Sequence, residues 1–387
     1  MLDRARLWGR GLWDDPAVRI GSAAFIILRL VTAVWAVAAR SLHPGPFAPD
    51  PVLRPYVGVA VETNPILEPW QRWDTLHYQA VAERGYAAFD TALFTPPLYP
   101  GLMRLFGSAL GGYTLLAGIL VSNAACLLGL IALGRLALLE TGDEASARRT
   151  VLYMASFPAA FFLMAAYAES LFLLSAGLVL LHARRGEWLR AGAWAAVAAM
   201  TRSTGVLILL PLGYQVLISR RSARAWAGWA LAAAGALVFP VYVWLGLRLP
   251  PWQPLVVLGQ RAGGGFAFPG WNLVEAIRQV IAGDYYPADL LDIAALLVFA
   301  GLMIPVWRRL PRIHSVYSLA FVGLYLVRVP GDQPLLATVR YVLALLPAFI
   351  ILGSLGRNPW IHRLILYPCW AGLLFMSGQF AIWGWVG

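Results

Sequence analysis

The chain has 387 residues, 60% of them apolar and only 13% charged, with 17 tryptophans and a mean hydropathy of +0.68. An ordinary soluble domain carries about 25% charge and no succession of long apolar runs, so that class is excluded and the chain reads as a polytopic membrane protein. Every one of its 30 basic residues is arginine, and the net charge is +11.

The opening stretch "MLDRARLWGRGLWDD" bears Arg and Trp, has no cleavable signal peptide, and is expected to lie along the inner interface. Apolar windows approaching the ~20 residues needed to cross hydrocarbon follow near 19–40, 113–139, 151–166, 170–184, 190–203, 204–219, 226–247, 290–307, 315–329, 339–356 and 364–385. They give an expectation of about eleven transmembrane helices, with 94–110 as a further short or re-entrant helix. The windows between 151 and 219 are short for a crossing, and such helices are tolerated where they line a cavity inside the protein. Polar segments at about 41–112 and 248–289 are read as outer loops, the first containing short helices. The expected fold class is an all-α polytopic bundle, one integral membrane domain over 1–387 with no separate soluble domain. Cys126 and Cys369 fall in apolar segments, so they imply neither a disulfide framework nor a zinc site.

With the N-terminus in the cytoplasm and the spans alternating, the inner side holds 17 arginines against 7 acids and the outer side 11 against 12. Arginine excess on the cytoplasmic side is a topology signal. It accounts for the basic balance without nucleic acid, which is not expected as a partner.

Four features of this greasy chain carry polar chemistry. "RWDTLHYQAVAERGY", residues 72–86, closes the first outer loop and places Arg72, Trp73, Asp74, His77 and Tyr78 together on a helical segment that Asp74 begins. An aspartate there has two open readings: a cap on free N–H groups, or a catalytic carboxylate. "FTPPLYPGLMRLFG", 94–107, reads as an interfacial turn broken by prolines. In "FPAAFFLMAAYAESLFLLSAG", Tyr167, Glu169 and Ser170 stand at the outward end of a hairpin of short spans; acids in or beside a membrane are costly and usually functional. Arg202 in "AAMTRSTG" and Arg340 in "VRYVLALLP" lie near the outer ends of spans. One such arginine snorkels to lipid, but two on the side disfavoured for arginine suggest an anion held in a cavity, guanidinium being a natural phosphate clamp. Asp284 and Asp332 stand in sequences typical of turns. Arg29, in the middle of the first span, is expected to pair inside the bundle.

These motifs, in this order over most of the chain, resemble the PIG-V family of membrane mannosyltransferases within the GT-C glycosyltransferase superfamily. Trp73–Asp74 in the first outer loop carries most of the resemblance, with Tyr167-x-Glu169-Ser170 and Arg340–Tyr341 adding to it. The resemblance implies a GT-C-like bundle with the catalytic aspartate in a large first outer loop, and a polyprenyl-phosphate sugar as donor. Eukaryotic relatives add the second mannose of the glycosylphosphatidylinositol core. Asp74 matches the loop acid, Glu169 the hairpin acid, and Arg202 and Arg340 the basic positions. The absence of lysine and of an Asn-x-Ser/Thr sequon on the outer loops points to a bacterial member in the cell membrane; the same topology in a eukaryote would put the site in the endoplasmic-reticulum lumen.

The implied chemistry suits the residues. Asp74 would take the proton of an acceptor hydroxyl. Arg202 and Arg340, with Arg72 next in line, would stabilise the leaving polyprenyl phosphate. Trp73, His77, Tyr78, Glu169 and Tyr341 would contact acceptor or sugar. A one-step displacement inverts the anomeric centre, the outer loops exclude water, and no metal or other cofactor is expected. Expected partners are the lipid-linked donor, a glycolipid or other glycan acceptor, and membrane lipid. The rival class is a transporter or flippase of lipid-linked sugars, against which the polar residues sit in outer loops rather than at the midplane.

Overall fold

A computed structural model of the chain describes residues 13–43, 56–218, 222–262, 265–329, 331, 333–384 and 386. Most of the amphipathic opening stretch, residues 44–55 of the first outer loop, Arg220, Arg221 and Asp332 lie outside the described residues.

Helix α1, Pro16–Leu42, starts where Asp15 accepts a hydrogen bond from the Ala17 N–H and Pro16 supplies a pre-set φ at the first position. Its 27 residues span roughly 40 Å, more than the ~30 Å hydrocarbon core. One face (Ala17, Ile20, Ala24, Leu28) is buried, while Ile26, Ile27, Leu30 and Val34 are exposed and suited to lipid. Its buried face packs on α4, Thr114–Thr141, so closely that a Cβ at Gly21 would come within 2.9 Å of the Ile131 backbone. Between them come α2, Asp74–Arg84, and α3, Leu98–Ala109. The proline-rich segment is largely the short helix expected near 94–110 and not an interfacial turn, with Pro97 at its N-cap and Tyr99 buried against α4. Arg29 pairs with a ring rather than an acid, its guanidinium carbon lying 5.3 Å from the Trp70 ring centre.

Next follow α5 Glu144–Ser156, α6 Glu169–Arg184, α7 Trp188–Thr201, α8 Leu209–Ile218 and α9 Ala223–Leu245. Small residues let α7 and α9 touch backbone to backbone: a Cβ at Gly192 would fall 2.0 Å from the Gly228 carbonyl oxygen, the close packing that membrane helices use. The second outer loop carries α10 Gln253–Ala262, β1 Gly265–Phe266 and α11 Trp271–Ala282. The last third comprises α12 Pro287–Gly301, α13 Met303–Arg309, α14 Arg312–Val327, β2 Arg328–Val329, α15 Thr338–Tyr341, α16 Leu346–Leu355 and α17 Pro359–Ala381.

The architecture is the helical, multi-pass one expected, but the count of eleven spans is not reached. Among the described residues five segments are long and apolar enough to cross: α1, α4, α9, α12 with α13, and α17. A sixth results if the segment containing α15 and α16, bent by 86°, is one span. The remaining windows exist as helices of 10–16 residues. Their breaks have local causes: the "FPAAFF" turn after α5, and Arg202 in extended conformation after α7. One continuous apolar core runs from α1 to α17, and residues 159–168 lie wholly inside it. The β1–β2 ribbon, antiparallel with Phe266 opposite Arg328, ties the second outer loop to the end of α14.

Candidate active site

Asp74 is the first residue of α2, and the residue before it turns the chain sharply. Trp73 has φ +51 and ψ −119, a backbone conformation that costs an L-residue about 1–3 kcal/mol and collects at functional sites. Two neighbours hold it there. The Trp73 ring meets Trp383 edge-on at 5.5 Å. Tyr167 accepts the Asp74 N–H at 3.1 Å and donates its hydroxyl to the Arg72 carbonyl at 3.3 Å. The Asp74 carboxylate then reaches across the protein to Arg340, whose Nη1 donates to Oδ2 at 2.9 Å. A capping role does not account for that contact. His77 Nδ1 stands 3.8 Å from Asp74 Oδ1, beyond hydrogen-bond reach.

Glu169 begins α6 at the end of the buried "FPAAFFLMAAYA" segment. Its Oε1 accepts from two arginines at once, Arg202 Nη1 and Arg340 Nε. Arg202 arrives because α7 ends there and the chain runs extended for one residue. Arg340 arrives on α15, a single turn that begins with Ala337 in the left-handed region (φ +62) and is held by Asp292, whose Oδ1 accepts the Val339 N–H at 2.6 Å. The Arg340 guanidinium also lies over two aromatic rings, Phe162 at 4.8 Å and Tyr167 at 4.7 Å. Glu169 is only 6% exposed, and its Oε2 has no hydrogen-bond partner among the described residues.

The result is a line of four side chains, Asp74–Arg340–Glu169–Arg202, gathered from four separate parts of the chain. It borders a narrow cleft lined by Glu169, Arg202, Arg340 and Tyr341 together with Phe172 and Tyr325. Tyr341 stacks on Tyr325 (6.0 Å, 22°), and the Arg202 guanidinium carbon is 5.5 Å from its ring centre.

The other expected residues stand outside this cleft lining. Tyr78 is buried edge-on against Tyr99 and Tyr167; burial, reinforced by the Glu169 carboxylate, pushes its pKa well up, so it stays a phenol. His77 packs between Phe89 and Phe94. Arg72 departs from its expected phosphate role. It is fully buried, donates to the Ala381 carbonyl (3.2 and 2.9 Å) and to Glu68, and lies over the Trp383 ring at 4.8 Å. Burial lowers its pKa, while Glu68 works the other way. Such a guanidinium is a strut of the loop, because its donors are already spent.

Three residues were missed as site members. Tyr167 carried a signal, an aromatic two residues from the hairpin acid, but its bond to the Trp73–Asp74 turn was not readable. Asp292 carried the general signal of an acid inside an apolar window. Phe162, one apolar residue among many, carried none.

The family profile described as mannosyltransferase (PIG-V) matches residues 24–221, just over half of the sequence. The chain belongs to the PIG-V mannosyltransferase family. The matched segment contains Asp74, Glu169 and Arg202 but stops before Arg340 and Tyr341, whose place beside them rests on the geometry above. Two solved structures resemble this PIG-V family member at low identity. One is ArnT from Cupriavidus metallidurans bound to undecaprenyl phosphate, with a TM-score of 0.49 and 15% identity, covering 93% of this chain and 76% of that one. The other is the Archaeoglobus fulgidus oligosaccharyltransferase in complex with Zn and sulfate, with a TM-score of 0.43 and 13% identity, covering 91% and 53%. No curated protein matches the chain.

Proposed function

We propose that this membrane glycosyltransferase moves a mannose from polyprenyl-phosphate mannose to a hydroxyl of a glycolipid or other glycan acceptor, on the outer side of the cell membrane and with inversion. The observation that carries the proposal is the Arg340 fork, joining the Asp74 carboxylate of the first outer loop to the cleft bordered by Glu169 and Arg202. In this reading the acceptor oxygen attacks the anomeric carbon as the bond from that carbon to the phosphate oxygen breaks. The hydroxyl proton passes to Asp74, and the bonding pair leaves with the polyprenyl phosphate, whose developing charge meets Arg202 and Arg340. Glu169 keeps both arginines oriented, and its unpartnered Oε2 suits a sugar hydroxyl. In this reading the guanidinium groups that hold both carboxylates also supply the positive charge.

The arginine distribution supports an outward placement of the site, and Trp73 just ahead of α2 and His77 and Tyr78 on it belong to the acceptor side of the proposal. Purified protein in detergent, given radiolabelled polyprenyl-phosphate mannose and crude glycolipid acceptor, should form labelled product. Substituting GDP-mannose for the lipid donor should yield none. Product from GDP-mannose alone would reject the donor class. No product from either donor, with labelled lipid translocated in vesicles, would favour a transporter.

A further inference from the structure

The line of four side chains is formally neutral, since two carboxylates face two guanidiniums. A neutral cluster has little net attraction for a phosphodiester, which carries a single negative charge, and every strong donor used on Asp74 or Glu169 is one fewer for a ligand. A third arginine stands beside it. Arg328 follows α14 on the β1–β2 ribbon, with its guanidinium carbon 4.5 Å from the Tyr341 ring centre. It lines a second narrow cleft that shares Tyr325 and Tyr341 with the first. Its Nη2 donates to the Leu336 carbonyl at 2.9 Å, and among the described residues no acid pairs with it. The buried acid of the nearby span, Asp292, accepts the Val339 N–H and lies within electrostatic range of Arg328, but makes no ion pair with it.

The backbone of Arg328 is fixed with care for an exposed ribbon. Buried Asn272 of α11 donates to the carbonyls of both Tyr325 (2.6 Å) and Arg328 (2.8 Å). Opposite Arg328 on the ribbon stands Phe266, 79% exposed, followed by Phe268 at 83% and Trp271 at 54%. Exposed aromatics on a membrane protein suit the headgroup boundary.

From this placement we propose that Arg328 is the residue that first receives the donor's phosphate: it borders the paired clefts without an ion pair to an acid among the described residues, and Arg202 and Arg340 meet the charge that develops as the bond breaks. It would bind the phosphoester of the lipid-linked donor at the ribbon while the sugar extends past Tyr341 toward Glu169. This rests on the donor class proposed above. The chemistry recognised is a phosphoester, whether from a lipid headgroup or from free phosphate, and a guanidinium fork binds either through paired N–H donors.

The test measures binding to purified full-length protein in detergent, with radiolabelled polyprenyl phosphate, polyprenol and inorganic phosphate as separate probes. Wild-type protein, Arg328→Lys and Arg328→Met are compared, each with its ligand-free Tm. Met keeps the length and packing over Tyr341 without the charge. The expected result is that polyprenyl phosphate binds and polyprenol does not. Arg328→Met should weaken binding by about tenfold or more, and Arg328→Lys, which keeps the charge but not the fork, should lose clearly less at an unchanged Tm. Wild-type affinity in Arg328→Met, equal loss in both variants, or equal binding of polyprenol would overturn the assignment. If polyprenyl phosphate fails to bind wild-type protein but inorganic phosphate binds in an Arg328-dependent way, the subsite stands and the lipid-donor reading falls. If neither phosphate binds, the subsite falls too.

Discussion

Arg340 gives Nη1 to Asp74 and Nε to Glu169, so one guanidinium joins acids that lie 266 and 171 residues away in sequence. Removing either acid therefore unbalances a charge shared by all three.

Replacing Asp74 with asparagine retains its size and the Arg340 hydrogen bond but not the base. Turnover should fall by about 10²–10⁴-fold, with yield and Tm near wild type. Retention of more than a tenth of the activity would return Asp74 to a structural role and make Glu169 the next candidate.

Arg340→Lys keeps the charge but cannot serve Asp74 and Glu169 with one planar fork; it should fold and show weakened donor use. Arg340→Ala leaves Glu169 with Arg202 alone and breaks the Asp74–Arg340 pair in a poorly hydrated cluster, a change that costs about 3–5 kcal/mol for a buried pair. The exposure of Asp74, a quarter of its side chain, places the expected loss at the lower end. Thermal melts beside donor kinetics separate the two effects, and wild-type donor kinetics in both variants would move the phosphate contact elsewhere.

Tyr167→Phe removes the hydroxyl that ties Asp74 N–H to the Arg72 carbonyl but keeps the ring under Arg340. Activity should drop by about tenfold, the size of one or two lost hydrogen bonds, mainly in kcat. An unchanged kcat would mean that the Trp73 turn holds without it.

Arg72→Met tests the strut reading. Stability should fall, because Glu68 and the Ala381 carbonyl lose their partner, while donor KM in the folded fraction stays as in wild type. A large rise in KM without loss of Tm would restore Arg72 to the phosphate site.

Orientation is checked in a cysteine-free background. Cysteines at Ser222, ahead of α9, and at exposed Ala60 of the first outer loop should react with an impermeant reagent from opposite sides, Ala60 from outside. Labelling of both from one side would invalidate the topology.

Members of the candidate site were legible because costly residues in an apolar chain advertise themselves: Asp74, Glu169, Arg202 and Arg340 all stood out against their surroundings, and the fold brings them together. What sequence could not supply was direction. Arg72 and Arg340 carry the same charge beside similar aromatics, yet one points into a backbone carbonyl and the other into the cleft, and only long-range packing decides which. The span count is not confirmed for a related reason. Hydropathy measures greasiness and not continuity, so the core-buried helices from α5 to α8 resemble crossings although Arg202 and the "FPAAFF" turn interrupt them.

The contacts of α17 with the first outer loop bear on how the enzyme is made. Arg72 is held by the Ala381 carbonyl, 309 residues later in the chain, and Trp73 leans on Trp383. Both flank Asp74. The first outer loop is synthesised early and can meet Tyr167 soon after, but its strained turn lacks the Ala381 and Trp383 contacts until the end of α17 has been translated and inserted. Catalytic competence should therefore be acquired late in biogenesis, in one step, and a nascent chain stalled before residue 381 should be membrane-inserted yet inactive.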